Sequence, residues 1–223
     1  MNDLKKFLKT WDEKYLENIK KIKLFNTDLT SSWSLDQKRY FAKIFYHARG
    51  HFHDFLWFVG NNAEDKETKD IVLQNISEEL NGSARSHEQM YFDFALSLGV
   101  DVSSEFVYES SYLDAVKRFN LNHIEFLYKH SADERFVALS AYERLDNVDY
   151  ANLVNLTKSF GTKRKGLIFF KVHEKVHHFE STFNKLEEIW NKNITSVTNS
   201  FNFIANNQIM MWETLSEEVF NFK

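Results

Sequence analysis

Apolar residues recur at i, i+3 and i+4 along almost the whole chain, and strict alternation is rare. That pattern predicts helix after helix and no sheet. It places helices near residues 3–24, 35–59, 65–80, 84–98, 110–129, 132–146, 148–160, 163–191 and 194–220. Gly60-Asn61-Asn62, Asn81-Gly82, Gly99-Val100-Asp101 and Gly161 punctuate them. Asp36, Asp133 and Ser159 or Thr162 read as helix starts, and Gly60 and Gly99 as C-terminal caps. At the start of the chain Leu4, Phe7, Leu8, Trp11, Leu16, Ile19 and Ile22 follow helical spacing. A basic amphipathic helix can lie on a membrane, but packing on neighbouring helices accounts for this one. No repeat, low-complexity tract or flexible linker divides the sequence, so the fold class is all-α, a helical bundle in one domain over residues 1–223.

Composition narrows the picture. The chain has 223 residues, enough to bury a sizeable core, and 22 of them are Phe, so that core is aromatic. Proline is absent and glycine numbers only 6, which leaves little to interrupt long helices. The net charge of -4 argues against a nucleic-acid footprint. With 0 cysteines, disulfides, thiolate nucleophiles and cysteine-bound zinc or iron–sulfur clusters are ruled out. The longest apolar run, Phe55 to Val59, is far short of the ~20 residues of a membrane span. No export signal is visible, and the expected localisation is cytoplasmic.

Candidate chemistry begins at "KVHEKVHHFEST", Lys171 to Thr182. On one continuous helix Phe169, Val172, Val176, Phe179, Phe183, Leu186 and Trp190 make an apolar stripe. His173, His177 and Glu180 then lie together along its edge, while His178 and Glu174 face solvent. Imidazole and carboxylate are the ligand set of iron, manganese or zinc, although from this helix alone a solvated face bordering the core is the better reading. In "SAYERLDNV", Glu143 shares a face with Phe136 and Leu139, a costly place for a carboxylate without a partner or a metal. In "ISEELNGSARSHEQMYFDF", His87 shares the inward face of Met90, Tyr91 and Phe94, and a helix break at Asn81-Gly82 would let Glu79 approach it. His47, His51 and His53 in "YHARGHFHDF" read as pocket-mouth or surface residues.

These segments together resemble the heme-oxygenase-like di-iron oxidases and oxygenases. That family includes the chlamydial protein associating with death domains, and it shares its fold with the thiaminase-like and pyrroloquinoline-quinone-synthase-like proteins. The likeness covers roughly residues 35–190 and rests on "NISEELNGSARSHEQMYFDFALSLGVD", "LSAYERLDNVD" and "FFKVHEKVHHFE". Two departures stand out: the third motif has His177 and Glu180 where the family has Asp and then His, and the first is one residue longer. The resemblance implies a heme-oxygenase-like bundle with iron as cofactor, one or two Fe2+ ions, or manganese. Glu79, His87 and Glu143 would hold one ion, His173, His177 and Glu180 the other, with Glu143 as the bridge. It implies a non-haem iron oxidase or oxygenase acting with O2 on a small organic substrate in the bundle core. The alternatives are a metal-free small-molecule binder and an interaction protein whose metal site has decayed. Expected partners are O2 and a small-molecule substrate, with no nucleic acid and no membrane span, and a homodimer as the assembly to look for. His173-Glu174-Lys175-Val176-His177 carries an i, i+4 histidine pair with the letters of His-Glu-x-x-His, whereas phosphate loops and dinucleotide fingerprints are missing from the sequence.

Overall fold

A computed structural model describes residues 3–81 and 85–223. Its helices run in the order α1 (Asp3–Ile19), a 3-10 turn (Lys23–Phe25), α2 (Thr27–Thr30), α3 (Leu35–Gly50), α4 (Phe52–Asn61) and α5 (Lys66–Asn81). Then come α6 (His87–Ser97), α7 (Glu105–Tyr108), α8 (Asp114–Lys129), α9 (Ala132–Ser159), α10 (Ile168–Lys175), α11 (Phe179–Lys192) and α12 (Ile194–Asn221). There is no strand among the described residues, and no described helix is long and apolar enough to cross a membrane.

Helix α9 is the axis of the bundle. It packs against α4, α8, α10, α11 and α12, so it is buried on nearly every side. Around it the phenylalanines interlock edge to face: Phe94 meets Phe170 at 4.8 Å and Tyr91 meets Phe169 at 5.1 Å. Such contacts add roughly 0.5–1.5 kcal/mol each beyond the area they bury. One polar knot pins three helices. Asp149 on α9 accepts hydrogen bonds from Tyr15 on α1 (2.8 Å) and from Gln208 (2.9 Å) and Trp212 (3.0 Å) on α12. α1 buries Leu4, Leu8, Trp11, Tyr15 and Ile19, with Tyr15 rather than Leu16 on the inward face, because its hydroxyl reaches Asp149.

The boundaries differ most from the sequence pattern in three places. The helix expected over 132–146 and 148–160 is continuous, since Asp146-Asn147 is not a polar edge: Asp146 lines an interior void, and Asn147 donates to the Val176 carbonyl at 2.8 Å. The helix expected over 35–59 breaks at Gly50-His51. The helix expected over 163–191 starts only at Ile168 and breaks between Lys175 and Phe179. Val176 there is extended (φ -80°, ψ 132°), and Asn147 takes up the carbonyl that the break exposes. The helix starts at Asp36 and Asp133 are in fact first-turn acids, the caps being Ser34 and Ser131 with Gln37 and Glu134 closing capping boxes. Gly99 ends α6 as expected, at φ 76°, whereas Gly60 sits within the last turn of α4. Of the break at Asn81-Gly82, Asn81 ends α5 and Gly82 lies outside the described residues.

Candidate metal centre

Three of the six residues singled out in the sequence meet inside the bundle. Glu79 comes from the last turn of α5, His87 from the first position of α6 and His173 from α10. Each offers a ligand atom, all within 4.8 Å of one another, and all three side chains are buried. Ser86 caps α6 with Gln89 closing the box, which fixes the direction in which His87 leaves the helix. His173 is clamped between the Tyr150 ring (4.3 Å, stacked) and Phe169 (4.5 Å). Its Nδ1 lies 2.8 Å from the Phe169 carbonyl, which can only accept, so Nδ1 carries the proton and Nε2 a lone pair.

The other three predicted residues are placed differently. Glu143 is buried at the wall of the same site, where its Oε1 accepts from Asn75 at 2.8 Å. His177 and Glu180 do not join them. Both are exposed and line a surface groove with Asp12, Glu13 and Arg144, because the break after Lys175 separates them from the helix that carries His173. His178, expected to face solvent, turns inward instead, with Nε2 3.5 Å from Glu78.

Sequence reasoning missed the groups that set the electrostatics. Arg49 on α3 donates through Nη2 to Glu79 Oε1 (2.7 Å) and to His173 Nε2 (2.9 Å), and through Nε to Tyr150 (2.7 Å). A signal was present: Phe41, Phe45 and Arg49 fall on one helical stripe, and a cation on an apolar stripe needs a buried partner. Burial pushes the Glu79 carboxyl up, but Arg49, His173, His53 and His87 outweigh it and hold the group well below the usual carboxylate range. Glu143 goes the other way, raised by burial and then by Asp146 and Glu79. Burial likewise pushes Asp146 up to about 8. Burial pushes His173 down to about 4, so it is neutral near pH 7.

Two features fit a bound cation. A void of ≈10 Å³, room for about one water-sized particle, is walled by Glu79, His87, Glu143, Asp146, His173 and His178. Two buried nitrogens, His87 Nδ1 and His53 Nε2, have no hydrogen-bond partner although they lie 3.1 and 3.5 Å from Glu79 Oε2. Carboxylate and imidazole donors around a single small void suit ferrous or manganous ions. Beyond the void a cavity of ≈390 Å³ opens, shared by Glu79, His87, Arg49, Tyr46, Tyr91 and Phe169. His47, expected at a pocket mouth or the surface, is buried in the cavity's wall and bonded to Glu105 at 3.0 Å; His51 and His53 lie at the cavity edge.

The sequence model of a family described as iron-containing redox enzyme matches residues 39–179. No curated protein matches the chain. Among solved structures, a domain of unknown function with a heme oxygenase-like fold from Shewanella denitrificans is similar, with TM-score 0.76 and 18% identity over 99% of this chain and 93% of that one. A CADD-like protein of unknown function from Nostoc punctiforme superposes with TM-score 0.70 and 13% identity over 96% of each chain.

Proposed function

Since the chain belongs to the iron-containing redox enzyme family, we propose that it is a non-haem iron oxidase or oxygenase acting with O2 on a small organic substrate. The observation that carries this reading is the convergence of Glu79, His87 and His173 on one void at the floor of a cavity large enough for a small molecule. Glu79, His87 and His173 would hold the metal, with Glu143 at hand as a further carboxylate. A bound ferrous ion supplies the electrons that activate O2.

The chain's own residues do the rest. His173 is pinned by Phe169 and Tyr150, so its lone pair is aimed before any metal arrives. Burial, Asp146 and Glu79 raise the Glu143 carboxyl, and Oε2, the oxygen that Asn75 leaves free, is the atom that would carry its proton or turn to a cation in the void. Tyr91 and Phe169 line the cavity and keep bulk water from the floor, while Tyr46, bonded to Glu88 at 2.8 Å, offers a polar edge to a substrate.

The test is metal content after anaerobic ferrous loading and desalting, followed by oxygen uptake with candidate amines, amino acids and fatty acids. About one iron or manganese per chain is expected, and occupancy below about 0.2 would defeat the reading, because a built site retains its ion.

A further inference from the structure

We propose that Arg49 is an internal surrogate for the metal: its guanidinium holds the ligand atoms of Glu79 and His173 while no dication is present, and yields them when one arrives. The inference rests on the ligand assignment above and concerns what sets the affinity of that centre.

One nitrogen carries the argument. Arg49 Nη2 sits 2.7 Å from Glu79 Oε1 and 2.9 Å from His173 Nε2. Those two atoms are 3.6 Å apart, too far to bond each other. Ligands about 2.1 Å from a shared cation and 3.6 Å from each other subtend roughly 120°, so one ion can reach both atoms. The pair is therefore spaced as a metal would space it, with a guanidinium nitrogen at the apex. An ordinary buried ion pair would need only the carboxylate. Here the cation also consumes the lone pair of an imidazole whose other nitrogen is already committed to Phe169.

Arg49 cannot empty the site by losing its proton, since a guanidinium stays charged in proteins and its acidic neighbours raise its pKa further. It has to move. The cavity of ≈390 Å³ that it lines gives it room, and the Phe52 ring, which its Cζ already overlies at 4.9 Å, can keep hold of the charge while Nη2 swings away. A dication and a guanidinium within a few ångströms of each other repel strongly, so loading exchanges one cation for the other.

The experiment compares the parent protein with Arg49→Met and Arg49→Lys, using Mn2+ and anaerobic Fe2+ titrations with thermal midpoints before and after loading. Arg49→Met should bind Mn2+ at least about tenfold more tightly, because the competing charge is gone. Its metal-free midpoint should fall, since Glu79 loses its counter-ion, and its metal-induced rise should exceed that of the parent. Arg49→Lys, which keeps the charge, should stay nearer the parent. If Arg49→Met fails to fold, Arg49→Ala with added methylguanidinium replaces it: millimolar methylguanidinium should raise the metal-free midpoint and weaken Mn2+ binding together. Unchanged or weaker binding in the uncharged variants, with a parent that binds, would show that Arg49 merely braces the ligands and would overturn the proposal. Binding in Arg49→Met but not in the parent would support it outright. No metal in any variant would remove the metal reading itself, and the surrogate with it.

Discussion

His177 and Glu180 illustrate how one residue's role hangs on its neighbours' backbone. They carry ligand chemistry at ligand spacing, yet both face solvent, while His87 and His173 are buried within 4.8 Å of Glu79. His87→Ala and His173→Ala should therefore each strip the metal from loaded protein, whereas His177→Ala and Glu180→Ala should retain it at the parent level. Metal analysis after desalting reads the difference, and equal loss in both pairs would contradict it. The residues that were legible in the sequence are those whose chemistry clashes with an apolar stripe: His87 beside Met90 and Tyr91, Glu143 beside Phe136 and Leu139. Arg49 carried the same signal beside Phe41 and Phe45. Its importance lay in contacts with Glu79, 30 positions away, and with His173, 124 positions away, which no local pattern encodes.

At the scale of elements, the 3.6-residue period revealed which segments are helical and left the joints obscure. The stripe from Phe169 to Trp190 runs unbroken in sequence, with no proline or glycine to mark a stop, yet the helix parts at Val176. What stabilises that parting is Asn147 of α9, so the cause lies in tertiary packing rather than in local propensity. α9 shows the converse, since an element buried nearly all round presents no clean stripe and so looks divisible. The knot at Asp149 is the element-scale counterpart of the metal site, joining α1, α9 and α12 through Tyr15, Gln208 and Trp212. Asp149→Leu should cost about 3 kcal/mol or more, because it leaves several buried donors without an acceptor. Tyr15→Phe, which removes one donor and keeps the ring, should cost about 1 kcal/mol. Urea unfolding of the two variants checks the ranking, and near-equal losses would contradict it.

For the whole molecule, buried ionisable groups set how stability depends on pH. Burial pushes His123 down to about 3 and His173 down to about 4. The unfolded chain therefore takes up these protons first, and the two histidines make stability rise with pH between about 4 and 6.5. Burial pushes Asp149 up to about 7 and Asp146 up to about 8. Both acids keep protons in the fold that the unfolded chain has released above about 3.9, so they make stability fall as pH rises from about 4 to 8. The two slopes oppose each other up to about 6.5, beyond which only the acids act. Glu79, held low by Arg49 and its histidines, adds stability above its unfolded value of about 4.3 that is lost as pH falls below it. Glu143, which burial also raises, puts three acids against two histidines, so the metal-free protein should lose stability slowly between about pH 4.5 and 6.5 and faster above that. Urea midpoints across that range test it, and stability still climbing through pH 8 would contradict it.

The central helix also gives the molecule a single clock. α9 carries Glu143 and Asp146 at the void and Asp149 at the knot, on one rod with neighbours on almost every side. Its middle amides can meet solvent deuterons only when those neighbours leave together, which is opening of the whole bundle. Their exchange should therefore be the slowest in the chain and should track the unfolding free energy. A cation held beside Glu143 should slow the amides around Asp149 by the same factor, though no ligand atom touches them.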